Sequence, residues 1–567
     1  MSKSRNISQF RISVLAMFLV GNLGAADFFV TNLIQFNVAV PLAQPGDTIT
    51  LANGVWANAD LVFIGEGSDS DPITLRAQTS GRVYLTGASR LHLGGSHLVV
   101  QGLVFTNGFP QALDVIEFQA GFATLAVSCR VTECAIFDFN PPVPGVETKW
   151  VSLYGFSNRV DHCYFKGKQN PGTLMVVRLP PAGGADAATP NYHLIDHNHF
   201  GPRPLVGGNG GEIIRVGESD TAFNLSRTIV EYNYFNGCDG EIEIISNKSC
   251  ENVYRYNTFE ECAGTLTLRH GDACRVESNY FLGNDKPATG GVRINGEDHV
   301  IMNNYFQNLA GGAGYSAVVL MQGLENSPLN GYFQVRNAVI AFNSLINCSN
   351  SLLVGLEATF SESGTNRTTT MPPVDCKIAN NIVFTTKRKL VDQRITPVNL
   401  VWEGNIMFGT ALGIGLVPGI LLADPMMGQV ADGLWAPLPA SPAIGGAKGS
   451  FSFVTDDIRG RLRPLAKDVG SDQVNGSGPT RRPLTSADVG PSWSQPLKLE
   501  LSLIQRSTVA LRWRSVAGSV YRVQISTNLA AWTDIGAPIT ATGATETWEE
   551  PWLAGRTRLY RVKQLTE

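Results

Sequence analysis

The sequence predicts an all-β chain built around a parallel β-helix, with a smaller β module after it. Three observations carry that expectation. A phrase of alternating apolar residues, then Asn, any residue and Phe, recurs through the middle of the chain. Its most closely spaced copies end at Phe235, Phe259, Phe281 and Phe306, at intervals of 24, 22 and 25 residues. No amphipathic helical run lies between these copies, so each interval holds short strands and turns. Three short strands fill such an interval, and a coil of this kind buries its apolar stripe only by stacking on its neighbours. Propeller blades need about 40 to 50 residues, which these intervals exclude.

Taken in order, residues 1–26 read as a secretory signal. Lys3, Arg5 and Arg11 supply the positive region, Ile12 to Val20 a short apolar core, and Gly24, Ala25 and Ala26 the small residues before a cut. That core is too short to span a bilayer, and no later segment is long and apolar enough. The expected location is secreted or periplasmic, with no membrane span.

Residues 27–474 read as the β-helix domain. Asn198, Asn233, Asn257, Asn279, Asn304 and Asn343 fall at one position of successive coils. Turned inward, such amides can bond one another across the strand spacing of about 4.8 Å. Intervals of 35 and 39 residues mark coils that carry loops. Stretches 180–186 and 357–373 read as such loops, and insertions on a solenoid rim often wall a groove. All nine cysteines lie between Cys129 and Cys376. Cys238 and Cys262 occupy equivalent places in adjacent coils, within reach of a bridge, but small stacked thiols also fill such cores, and thiols are expected here. After Phe408 the repeat fades, and 438–445 with 457–461 read as an irregular cap. Residues 475–496, rich in Gly, Ser, Pro and Thr, read as a linker. Residues 497–567 return to alternating strands at Val509–Trp513, Tyr521–Ile525 and Leu559–Val562. This last part resembles the fibronectin-III-like β-sandwich modules of secreted bacterial enzymes, which implies a spacer or an anchor.

The chain has 44 basic and 48 acidic side chains, a net charge of −4. Nothing there favours nucleic acid, and a polyanion would have to be gripped by a local basic cluster. One stretch supplies it. Glu241 and Glu243 are two apart on a predicted strand, so they share a face, and Asp239 has the same parity. Clustered carboxylates repel unless a cation sits among them, and oxygen donors of this type suit a hard ion such as Ca²⁺. Lys248 follows, and Arg269 falls on the next coil with the same parity. Arg215 lies one coil before and Arg293 one coil after. A column of Arg215, Lys248, Arg269 and Arg293 beside an acidic pocket matches the carboxylates of an anionic sugar chain. Standing alone, a Glu-x-Glu pair is more often a solvated strand face paired with Arg.

The motifs Asn209-Gly-Gly-Glu212-x-Ile-Arg215-x-Gly, Gly240-Glu-Ile-Glu-x-x-Ser-Asn-Lys248, Leu268-Arg-His-Gly271 and Gly290-Gly-Val-Arg-Ile294 resemble polysaccharide lyase family six. That family holds alginate lyases and chondroitinase B. The resemblance covers roughly residues 27–474 and implies a right-handed parallel β-helix there, so the expected fold is that helix followed by the small β-sandwich module. It implies a secreted Ca²⁺-dependent lyase that cleaves an acidic, uronate-containing polysaccharide, alginate first, by β-elimination. By the resemblance Asn209, Glu241 and Glu243 would hold Ca²⁺, Lys248 would be the base, and Arg269 would act at the leaving oxygen. Arg215, His270 and Arg293 would contact substrate. Asp272 departs from the Asn that many relatives carry after Arg-His-Gly. Dermatan sulfate is the alternative substrate. A β-helix glycoside hydrolase would want separated carboxylates as acid and base, and a non-catalytic polysaccharide-binding helix would need no Lys–Arg pair.

Overall fold

The computed structural model describes residues 24–565, except 111–113, 122–123, 144, 182–187, 495–498, 505–507, 516–517, 528–530, 544 and 552–557, and it leaves out the side chains of 499–504 and 514. Most of the expected signal segment, and most of the 180–186 loop, lie outside the described residues.

Three parallel sheets of 14, 13 and 14 strands occupy residues 27–422. A coil gives one strand to each, as with Ile229–Glu231, Tyr234–Asn236 and Glu243–Lys248. The repeated phrase is the tight turn between the first two of these strands. Its Asn is fully buried, and Asn233 N–H donates to Asn257 Oδ1 at 3.0 Å, Asn257 to Asn279 at 3.0 Å and Asn279 to Asn304 at 3.0 Å. The column continues through Asn343 and Asn381 to Asn405. Each amide also caps a backbone carbonyl of the preceding coil, as Asn257 does for Val230. The residue before each Asn is left-handed, with φ 52° at Tyr232, 57° at Tyr256 and 55° at Ser278. That conformation costs roughly 1 to 2 kcal/mol for a residue with a Cβ, and the paired amides offset it. Two positions on, Phe200, Phe235, Phe259, Phe281 and Phe306 stack face to face inside, with centroids 4.5 to 4.8 Å apart. All nine cysteines are buried thiols.

The two ends differ. The helix Leu33–Ala39 closes the first coil with Phe36 fully buried, and Asn32 caps it by accepting from Gln35 N–H. Residues 427–474 do not close the last coil. They fold back along the flank, where Met427, Leu434, Ile458 and Val469 pack on Tyr280, Tyr305, Ile346 and Ile382. The buried Arg463 guanidinium bonds Asn303 there. Leu421 and Leu422 are consequently half exposed at the open end.

Residues 481–494 also lie along the flank, despite their linker-like composition. Leu484 N–H bonds Thr258 Oγ1, Gly490 N–H bonds the His197 carbonyl, and Trp493 Nε1–H bonds the Glu133 carbonyl. Beyond this strap, Leu499–Ile504, Thr508–Arg514 and Thr545–Pro551 form one antiparallel sheet, and Thr533–Thr540, Val520–Ser526 and Leu559–Leu565 another. Leu511, Trp513, Tyr521 and Val523 share one apolar cluster with side chains of both sheets.

Candidate functional site

The 13-stranded sheet carries the candidate residues. Ile214–Val216, Glu243–Lys248, Thr265–His270 and Val292–Ile294 are consecutive in it. Pairing aligns Arg215 with Ser246, Ser246 with Thr267, and Thr267 with Arg293. Arg215 and Arg293 therefore flank two short polar side chains, three strand steps or about 14 Å apart.

Two register breaks shape this row. Between Glu243 and Ile245 the strand gains one residue against its neighbour, and Ile244 and Ile245 are both buried. Strict alternation would put Glu243 and Lys248, five apart, on opposite faces; the bulge returns both to the groove. Between Leu268 and His270 the neighbour gains one residue instead, which is Arg269. Its level is therefore that of Lys248, not that of Glu243.

The charges settle into distinct roles. Glu243 accepts from Arg293 and from Ser246 Oγ. Burial would raise its pKa, but Arg293 first, then Arg269 and Lys248, hold it below the usual carboxylate value. Glu241 is the opposite case. Burial, then repulsion from Glu212 and Glu243, pushes it up to about 8. Glu212 is itself buried, with Thr173 Oγ1 at 3.2 Å and Arg215 at 3.8 Å. Sequence reading left it without a role, although it stands in the Asn-Gly-Gly-Glu motif. Asp239 does not join this group: Lys286 binds both its oxygens, at 2.7 and 2.8 Å. Lys248 has no carboxylate partner among the described ion pairs, and burial lowers its pKa, opposed chiefly by Glu243 and assisted by Arg215 and Arg269.

Arg269 and His270 are held by a loop that sequence reading missed, because it belongs to no repeat. Arg269 donates to the carbonyls of Gly331 and Asn330 and stacks over Tyr332, its Cζ 4.0 Å from the ring centre. Burial, then Arg269 and Lys248, drops the His270 pKa to about 3. His270 Nε2 lies 3.1 Å from the Gly331 carbonyl and 2.9 Å from Arg269 Nη1, and Nδ1 is buried without a partner. Behind this loop the expected 357–373 insertion is a hairpin of Thr359–Glu362 and Thr365–Thr368, and Asn330 reaches Glu362.

Asn209 is exposed on the opposite loop and makes no described side-chain hydrogen bond. That loop is fixed from below by Arg203, fully buried, which donates to the carbonyls of Asn170, Gly172, Gly210 and Glu212. It meets the bend that carries Glu241, which lies just before the strand and not on it, where a Cβ on Gly211 would lie 2.3 Å from the Gly240 carbonyl, so only glycine fits. Among the described residues no three His, Cys, Asp or Glu side chains converge closely enough to hold a metal ion alone. The donor chemistry nevertheless fits a hard cation: Glu241 is a half-buried acid beside two others, with no described hydrogen-bonding cation of its own.

The profile of the family described as Chondroitinase B matches residues 30–443. Among solved structures, the PL6 family alginate lyase AlyGC is 34% identical with a TM-score of 0.71, over 84% of this chain and 60% of that one. A mannuronic-acid-specific polysaccharide family 6 lyase from human gut microbiota is 33% identical with a TM-score of 0.60, over 68% of this chain and 86% of that one. Alginate lyase AlyF-OU02 is 25% identical with a TM-score of 0.62, over 74% and 92%. The chain thus spans 60% of the length of AlyGC. No curated protein sequence matches the chain.

Proposed function

The chain belongs to the chondroitinase B family, that is, polysaccharide lyase family six, and from that membership we propose that it cleaves an acidic, uronate-containing polysaccharide by β-elimination. The observation that carries this reading is Lys248: a lysine without a carboxylate partner among the described residues, its pKa lowered by burial, in a row bounded by Arg215 and Arg293. Arg215 and Arg293 grip uronate carboxylates along the chain, with the fork geometry that guanidinium offers. Lys248 Nζ, in its neutral form, takes the proton from C5. The C5–H electrons become the C4–C5 double bond, and the bond from C4 to the linking oxygen breaks. Arg269, held at the level of Lys248, stabilises charge on that leaving oxygen. His270 is uncharged near neutral pH, so it is not an imidazolium donor, and water supplies the proton. Asn209, Glu241 and Glu243 would hold Ca²⁺, which when bound would polarise the substrate carboxylate as charge builds beside it.

Alginate is the favoured substrate, because the similar solved structures of about one-third identity are an alginate lyase and a mannuronic-acid-specific lyase. Dermatan sulfate stays as a second reading on the strength of the family's description. Residues 1–26 are proposed to direct export, and no described helix is long and apolar enough to cross a membrane. The two-sheet module after residue 499 is proposed to be a fibronectin-III-like spacer or anchor. The test is incubation of the purified chain with polymannuronate, polyguluronate and dermatan sulfate while ultraviolet absorbance of unsaturated ends is followed. The expected result is a rise on an alginate polymer that stops with chelator and resumes with Ca²⁺. No rise on any of the three polymers would overturn the reading.

A further inference from the structure

The sheet that carries the groove changes character at the strand Val292–Ile294. Toward the start of the chain its outer face carries partly exposed polar side chains: Arg178, Tyr154, Glu117 and His92. Toward the end of the chain the same rows turn apolar. Pairing places Val319 next to Arg293, and Leu353 next to Val319. Met321 lies two residues after Val319 and shares its face. Alternation assigns all three to the outer face, because Val318, Leu320, Leu352 and Val354 fill the interior. Yet Val319, Met321 and Leu353 are only 0 to 2% exposed. An outward apolar row is stable in water only under a cover.

Three segments supply that cover. Val319, Met321, Leu353 and Leu356 form one apolar cluster with Tyr332 and Ala358. Tyr332 belongs to the loop that holds Arg269, and its ring reaches from that guanidinium to the cluster. Ala358 stands at the base of the hairpin, where its carbonyl accepts from Thr369 N–H, and Arg367 of the hairpin bonds the Glu325 carbonyl of the Tyr332 loop. From the other rim the turn Ala313–Tyr315 closes in: a Cβ on Gly314 would lie 3.7 Å from Arg293 Nη1 and 3.8 Å from Leu356 Cδ2. The shared burial makes this wall part of the core and not a gate. It begins one strand step past Arg293 and two past the Arg269 strand, about 10 Å, which is room for about two sugar residues. A polymer on this face therefore has space on one side of Lys248 and Arg269 and meets a wall on the other. The chemistry sets which end of the chain meets it. Lys248 takes its proton from the ring that keeps the double bond. Arg269, one strand nearer the wall, faces the oxygen that leaves on the anomeric carbon of the next ring. The fragment at the wall is thus the one on the non-reducing side of the broken bond.

We propose that the groove is blind: it seats the non-reducing end of the polysaccharide against the wall of Val319, Leu353 and Tyr332 and releases only short fragments from that end. This rests on the lyase reading and adds where along the chain the cut falls. Two measurements on the full chain test it. In the first, ultraviolet absorbance and viscosity are followed together on long polymannuronate, polyguluronate and dermatan sulfate with Ca²⁺. Absorbance should rise while viscosity stays almost constant, and the early products should all be short. A steep early fall in viscosity with a ladder of long oligosaccharides would overturn the proposal. The second measurement needs no turnover. Lys248→Ala is titrated calorimetrically with chains of several defined lengths of the same polymers, and a single protein molecule should bind per chain at every length. A number bound that grows with chain length, or no binding to any of the polymers, would also overturn it. If a single molecule binds per chain but the parent forms no double bonds, the lyase reading fails and the blind groove stands.

Discussion

The asparagine column and the groove strands belong to the same coils and obey opposite rules. In the column every coil repeats its neighbour: one left-handed residue, one buried amide, one bond up and one bond back. In the groove the register breaks twice within one strand pair. There the polar atoms are incompletely matched: His270 Nδ1, Arg215 Nε and Arg293 Nε are buried without partners. Among the described residues the asparagine column leaves none of its amides unpaired, whereas the groove strands hold three such atoms. Substitutions in the two regions should therefore separate activity from stability.

The largest effect on activity is expected from Lys248→Ala. Removal of a general base costs about 10² to 10⁴-fold, while the thermal midpoint should change little, because the side chain has no ion-pair partner among the described residues to lose. Initial rates of double-bond formation together with a melting curve check both halves. Next comes Arg269→Lys, expected to lose about a hundredfold, because a displacement near 1 Å at a reacting centre costs that much. Lysine keeps the charge but gives up two carbonyl contacts and the stack on Tyr332. Near-parental rates in the lysine variant would reduce Arg269 to a source of field alone.

Asn257→Ala should invert that pattern. Its amide serves Asn233, Asn279 and Val230, all buried. Each group left unpaired costs about 1 to 3 kcal/mol, so denaturant unfolding should report several kcal/mol lost, while protein that remains folded should cleave at nearly the parental rate. A fall in rate without a fall in stability would erase the contrast between the two regions. The smallest effect is expected from deletion of residues 495–567, which keeps the strap and all groove residues. Activity on short soluble oligosaccharides should be nearly unchanged, and a large loss in a folded truncation would tie the module to the groove.

Sequence reading reached the column because its spacing is regular: Asn257 and Phe259 announce a coil wherever they recur. It reached Glu241, Glu243, Lys248 and Arg269 through local motifs. It could not see how they meet, because counting by twos assumes an unbroken strand, and the bulges at Ile244 and Arg269 break it. Asp239 looked like a third member of the acid face by parity, yet Lys286, 47 residues later, takes it. The Tyr332 loop and the strap at 481–494 carry no period, so nothing in their composition announces the surfaces they cover. The strap's Gly, Ser and Pro content is that of a linker, but its side-chain and backbone bonds to Glu133 and Thr258 hold it down.

The central claim is that a lysine made less basic by its surroundings starts the reaction. It is tested most directly by the pH dependence of kcat/KM for double-bond formation, for the parent and for Lys248→Ala. Burial lowers the Lys248 pKa, and only the neutral amine accepts a proton, so the rate should rise with pH and level off below the free-lysine value of about 10.4. The alanine variant should show a low rate without that rising limb. A parental rate that falls as pH rises over the same range, or an alanine variant with the same ascending limb, would contradict the account.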